Sequence, residues 1–153
     1  MQKHSFIFAA AMALFVLAGA AYAAGPVLTV ADVEKVGKFK GIKLVGKDPS
    51  AGAGGDLNFA RTDGTLILMV LLGNKSLLES MKAQKGTFKG PVAGIGDEAF
   101  NGPSTGRMLY LLAFRKGSKM ASLSSYLDLI GSGKPFFNEA QLKELAKIAI
   151  TRM

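Results

Sequence analysis

The side chains of this sequence that could hold or move a proton are few, and the most conspicuous sit in one stretch, Gly94-Ile95-Gly96-Asp97-Glu98-Ala99-Phe100. Asp97 and Glu98 are adjacent. Successive strand residues point to opposite faces, so the two carboxylates are not expected to form an acid–base pair with each other. Each has other partners within reach: Arg107 or Arg115 across the following hairpin, or backbone N–H groups of the glycine turn. The reading adopted is structural, with Asp97 tying down the turn. A calcium loop needs oxygen ligands at alternating positions, and Gly94 to Gly102 offers only Asp97, Glu98 and Asn101. Ser122, Ser124 and Ser125 have no base near them in sequence and read as sheet-surface hydroxyls rather than nucleophiles.

What is missing narrows the chemistry further. The sole histidine is His4, and cysteine and tryptophan are absent. If His4 leaves with a leader, the remaining chain has no imidazole for Ser-His-Asp or Cys-His catalysis. Nor does it have a thiolate or imidazole for zinc, haem or iron–sulfur ligation. No catalytic residue, no metal ligand and no cofactor is therefore expected, and the chain reads as a non-enzyme.

The leader itself is legible. Lys3 supplies a positive start, Phe6 to Ala18 is an uncharged apolar run, and Ala21-Tyr22-Ala23 is a small-residue cleavage signal. The run is short for a membrane span. Residues 1–23 are expected to be a cleaved secretory signal, and 24–153 a single domain, periplasmic or secreted after cleavage near Ala23. Without cysteine, neither lipidation nor a disulfide is open to it.

The elements that must position these residues follow from capping and periodicity. Thr29 and Asp32 form a capping-box pair ahead of Val30, Val33 and Val36, with Gly37 as the C-cap candidate. Ile42 to Val45 is a short strand, and Lys47 to Gly55 a mobile connector without a phosphate-loop pattern. A hairpin turns at Asp63-Gly64, and its second strand, Thr65 to Leu72, is apolar on both faces and so central. Asn74 caps a helix to about Gln84, then Gly86, Gly90 and Pro91 break the chain. Strands follow at Asp97 to Phe100, Arg107 to Arg115 and Lys119 to Leu127, with a polar loop over Asn101 to Gly106 and a turn at Lys116-Gly117. Asn138, with Gln141, caps a last helix whose Leu142, Leu145, Ala146 and Ala149 form one stripe. The order is α-β-β-β-α-β-β-β-α: an α+β domain with a mostly antiparallel sheet of about six strands and flanking helices.

Two surfaces stand out for binding. The formal net charge is +8, which favours polyanionic partners, and Lys35, Lys38, Lys40, Lys43 and Lys47 make the densest basic region. It reads either as an anion-contact edge or as a solvated rim whose lysines block strand-edge aggregation. Phe136-Phe137, near Tyr126 in the expected fold, read either as the lip of an apolar pocket or partner contact, or as a plug at the end of the sheet. Basic and aromatic residues are too sparsely interleaved for a single-stranded nucleic-acid face, so nucleic acid is not an expected partner.

The stretch Val92-Ala93-Gly94-Ile95-Gly96-Asp97-Glu98-Ala99-Phe100, followed by an apolar strand, the turn Arg115-Lys116-Gly117-Ser118, a serine-rich strand and a terminal helix, resembles small exported bacterial proteins of unknown function. In those, a G-[IL]-G-D-E-A-[FY] motif precedes a strand and a basic glycine turn. Some such domains are similar to the PsbP-like α/β sandwich. The resemblance implies that Gly94, Gly96, Asp97, Glu98, Phe100, Arg115, Lys116 and Gly117 form a structural motif, and it implies fold and location without an activity. It departs from the lipidated members in lacking the acceptor cysteine, so membrane contact is expected to be peripheral at most. The functional expectation is an exported, non-enzymatic domain that binds a protein partner or accessory ligand in the envelope. Carriage of a small apolar or lipid ligand, and electrostatic attachment to anionic envelope surfaces, are the alternatives.

Overall fold

The first helix begins where Thr29 and Asp32 satisfy each other's backbone. The Asp32 amide donates to the Thr29 hydroxyl at 3.3 Å, and the Thr29 amide donates to the Asp32 carboxylate at 2.8 Å, which uses two of the donors that a helix start leaves open. The computed structural model describes residues 25–47, 56–102 and 108–153. The signal segment, most of the 47–55 connector and Arg107 lie outside them, as does the side chain of Tyr110. In chain order the elements are α1 (Val30–Gly37), β1 (Ile42–Val45), β2 (Leu57–Arg61), β3 (Leu66–Asn74), α2 (Lys75–Ala83), β4 (Gly90–Pro91), β5 (Glu98–Gly102), β6 (Met108–Lys116), β7 (Lys119–Tyr126) and α3 (Glu139–Thr151).

The strands form one antiparallel sheet in the order β1-β2-β3-β7-β6-β5-β4. Two meanders, β1 to β3 and β4 to β7, are zipped together along β3 and β7, from Leu68 opposite Ser125 to Asn74 opposite Lys119. The apolar β3 is thus interior, as its composition requires. The sheet has a strand more than expected. Gly90-Pro91 do not simply break the chain; they pair with Asn101 and Phe100 at the sheet's edge. Lys89 and Val92 supply the amide donors on either side, at 2.7 Å each, so the proline's missing N–H costs no bond there. The same pairing extends β5 to Gly102, past the point where a loop was expected.

Helices α1 and α3 cover one face of the sheet and α2 the other. The main core lies under α1 and α3, where Leu142, Leu145, Ala146 and Ala149 of α3 meet Val33 and Val36 of α1 and the inward residues Val70, Leu112, Phe114 and Leu123. Between β2 and β3 the register steps from Phe59–Leu68 to Ala60–Leu66. This bulge over Ile67 leaves both Ile67 and Leu68 fully buried. The smaller core, Leu78, Ala113 and Met120, sits beneath α2. The α2 start is as expected, with Asn74 Oδ1 accepting from Leu77 N at 3.0 Å.

The end of α1 differs from expectation. Its left-handed cap is Lys38, with φ 58°, and Gly37 is the last helical residue. Gly37 is needed for space: a Cβ there would collide with the Phe39 ring and lie 2.9 Å from Phe137 Cε1. The left-handed position therefore falls on a lysine, at a steric cost that glycine avoids.

The two ends of the folded chain are tied. Arg152 donates to both oxygens of Asp32 and, at 3.2 Å, to Val27 O. The hydrogen bond from Arg152 is the first cause holding the Asp32 carboxyl at about 2, below its ordinary 3.8. A carboxylate whose folded pKa is depressed contributes stability that is complete above its unfolded pKa and is lost as pH falls through the folded one. A displacement from 3.8 to about 2 is worth at most about 2.5 kcal/mol. With Arg152 36% exposed, screening reduces this to about 1–2 kcal/mol. We expect Arg152→Gln to cost up to that much more at pH 5 than near pH 2, on top of a pH-independent loss of its bond to Val27 O, as read from urea unfolding at both values. A cost that does not change with pH contradicts the assignment.

Candidate interaction site

The residues singled out by sequence fall at opposite ends of the sheet. At one end the motif forms a clamp around Arg115. Gly96, with φ 57°, places Asp97 N against Arg115 O at 2.8 Å. Asp97 Oδ2 accepts from Gly117 N at 2.7 Å and from Arg115 Nη1 at 3.1 Å, while the same Nη1 donates to Gly117 O at 2.7 Å. Arg115 Nε donates to Glu98 Oε1 at 2.7 Å. The two carboxylates were expected to diverge across a strand. They converge on one guanidinium because Asp97 precedes β5 and is still in the turn. Lys82 of α2 extends the network to Glu98 and Glu79, at 3.2 and 3.1 Å, and lies 5.1 Å from the centre of the Phe100 ring. Phe100 in turn packs on Phe88, ring centres 5.3 Å apart. Lys116 Nζ donates to Ile150 O at 3.0 Å, fastening the hairpin to the end of α3. Gly94 has open space around it.

The electrostatics of this end are those of a fastening. Hydrogen bonding from Arg115 holds the Glu98 carboxyl below its usual range, and Glu98 raises Arg115. Hydrogen bonds to Glu79 and Glu98 raise Lys82. Each shift favours the charged form and moves the group further from neutrality, whereas a general acid or base needs a pKa drawn toward the working pH. Among the described residues, no group of three or more His, Cys, Asp or Glu is placed to hold a metal ion.

The serines of β7 are also structural. Ser122 and Ser124 are not surface hydroxyls but are buried, at 2% and 3% exposure. Ser125 Oγ accepts from Phe137 N at 2.9 Å and donates to Tyr126 O at 3.1 Å, pinning the chain after β7 to the strand.

The other end gathers the basic region and the aromatic pair. Antiparallel pairing sets Ile42 opposite Arg61 and Leu68 opposite Ser125. The start of β1, the β2–β3 turn and the end of β7 therefore share one end of the sheet. Phe39, just after α1, meets Phe136 and Phe137 edge-on, with ring centres 6.1 and 5.5 Å apart. This brings the end of α1 and the link after it beside the segment that follows β7, and Lys35, Lys38, Lys40 and Lys43 are all exposed. The aromatic residues serve differently from the expected binding surface: Phe137 is fully buried, Tyr126 is buried and Phe136 is half-buried. They plug the end of the core, and burial raises the Tyr126 hydroxyl.

Sequence reasoning passed over Arg61 and Lys134, which join the lysines here, and Leu129 and Ile130 in the loop between them. The available signal was Asp128-Leu129-Ile130-Gly131-Ser132-Gly133: two aliphatic residues framed by turn formers, outside any periodic segment. Among the described residues, Lys35, Lys38, Lys40, Lys43 and Lys134 form no ion pair, so their charge faces solvent. Lys43 Nζ does reach Thr62 O at 3.5 Å.

Lys38 is the sharpest of these. A side chain in the left-handed region costs about 1 kcal/mol that glycine avoids. We expect Lys38→Gly to raise stability by about 0.5–1 kcal/mol in urea unfolding. A loss of stability would show that the lysine side chain contributes packing that offsets the strain. Among the described residues no helix is long and apolar enough to cross a membrane.

No protein-family model, curated protein or solved structure matches the chain.

Proposed function

We propose that the chain is an exported, non-enzymatic domain that attaches to anionic surfaces of the bacterial envelope through the basic end of its sheet. The observation that carries this reading is convergence. Lys35, Lys38, Lys40 and Lys43 come from α1, the link after it and β1, Arg61 from the end of β2, and Lys134 from the loop after β7. Separate segments deliver six cations to one end, where they outnumber the carboxylates of Glu34, Asp63 and Asp128, which accept backbone amides such as Ile42 N at 3.0 Å and Thr65 N at 2.9 Å. The leader at residues 1–23 supports export to the periplasm. The order of helices and strands, together with Gly94 to Phe100, is compatible with a PsbP-like sandwich.

Juxtamembrane lysines contribute about 1 kcal/mol each at an anionic bilayer. The triple change Lys38→Gln/Lys40→Gln/Lys43→Gln is therefore expected to weaken co-sedimentation with phosphatidylglycerol vesicles by about 100-fold. Binding should also fall steeply between about 0.05 and 0.5 M salt as exposed charges are screened. Binding indifferent to both salt and the substitutions would defeat the proposal and leave a protein partner or small ligand as the reading to pursue.

A further inference from the structure

The loop after β7 is ordered by its own polar groups. Leu127 bridges to Pro135, and Asp128 N donates to Lys134 O at 2.8 Å. The Asp128 carboxylate accepts from Gly131 N and Ser132 N, both at 2.9 Å, and from the Ser132 hydroxyl at 3.3 Å. Gly133 N closes the turn onto Asp128 O at 2.9 Å. Most of the loop's hydrogen bonds converge on Asp128, with Lys134 N donating instead to the Ser132 hydroxyl at 3.2 Å and Leu129 N to Leu127 O at 3.0 Å, and the Leu129 and Ile130 side chains are turned out. Leu129 is 59% exposed and Ile130 92%. A loop whose backbone is fixed by an aspartate does not need these two side chains for its conformation, and water solvates them poorly.

Their surroundings select the partner. Lys134 lies in the same loop, and Arg61 is near enough to act on the Asp128 carboxylate, whose charge is first of all held by the Ser132 amide. Lys38, Lys40 and Lys43 occupy the same end of the sheet. An apolar tip at the same end of the sheet as an excess of cations matches a surface with phosphates outside and hydrocarbon just beneath. It fits poorly with a soluble polyanion, which has nothing to receive Leu129 and Ile130.

We infer that Leu129 and Ile130 form an insertion tip that enters the acyl boundary of an anionic bilayer while the surrounding cations engage its headgroups. This rests on the attachment reading above and specifies its partner as a lipid bilayer.

The sequence supplies a convenient probe, because it has no tryptophan. Ile130→Trp places a single emitter at the tip of the chain, taken as processed by an exporting host. With phosphatidylglycerol vesicles the emission is expected to shift to the blue and to be quenched by lipids brominated on their acyl chains. Leu129→Ser/Ile130→Ser is expected to lower vesicle affinity by about 100-fold, equivalent to about 2.7 kcal/mol, with no change in thermal unfolding. Its binding to soluble dextran sulfate should stay as in the parent. Unshifted emission alongside salt-sensitive sedimentation overturns the insertion and leaves the attachment reading standing. Absence of both overturns both. A blue shift that grows with protein concentration and needs no vesicle also overturns the insertion, since a second copy of the chain would then cover the tip.

Discussion

Gly96→Ala is expected to cost about 3–5 kcal/mol, a large part of the roughly 5–15 kcal/mol that holds a domain of this size together. Two effects add. The residue has φ 57°, where a β-carbon meets its own backbone. That β-carbon would also fall inside the contact radius of Arg115 O and lie 2.8 Å from Ile150 Cδ1. The oxygen belongs to backbone and cannot rotate away; it is held by Asp97 N at 2.8 Å. Relief requires opening the turn, which removes Asp97 from Gly117 N and Arg115. Gly94→Ala makes the comparison informative. Gly94 also has positive φ, 78°, but open space around it, so strain alone should cost about 1 kcal/mol. Equal losses in urea unfolding would show that the close approach to Arg115 contributes nothing.

Phe137→Ala follows with an expected loss of about 3–5 kcal/mol. The ring is fully buried, lies 5.5 Å from the Phe39 ring centre, and sits close over Gly37. The bond from Phe137 N to Ser125 Oγ, 2.9 Å, keeps the backbone in place, so the neighbours cannot readily collapse into the space. Phe136, half-buried beside it, should cost about 1–2 kcal/mol when truncated. A small loss for Phe137 comparable to that for Phe136 would mean that this end of the core repacks freely, and would remove the rigid base on which the basic surface stands.

Local signals were the legible ones. Thr29 with Asp32, Asn74, and Asn138 with Gln141 cap as their spacing requires, because a cap involves residues within one turn of each other. The α3 stripe and the β6–β7 turn were readable for the same reason. Gly37 misled because glycine has two uses, left-handed backbone and close packing, and only the rings of Phe39 and Phe137 decide between them. The alternation of Ser122 and Ser124 marked a strand, but whether its polar face is covered depends on packing that periodicity does not encode. β4, of two residues, has no period at all. Asp97 and Glu98 could be placed on opposite faces only by assuming a strand that in fact begins at Glu98. The basic end was half visible: the lysines cluster in sequence, but their meeting with Arg61, Lys134 and the Leu129–Ile130 tip is created by strand order.

That strand order also determines when the molecule can close. β7 is the last strand made, yet it lies in the middle of the sheet, between β3 and β6. A chain emerging amino-end first, from a ribosome or a translocation channel, holds a β1–β3 meander with one flank open until residues beyond Tyr126 are free. The closing contacts span from 45 residues of sequence, Asn74 to Lys119, to 57, Leu68 to Ser125, and such distant pairings form slowly. Delay of this kind keeps a chain threadable through a narrow pore. It also creates a hazard: a chain cut short before Lys119 presents β3 and β6 as two bare, apolar edges, each a template for the other molecules around it.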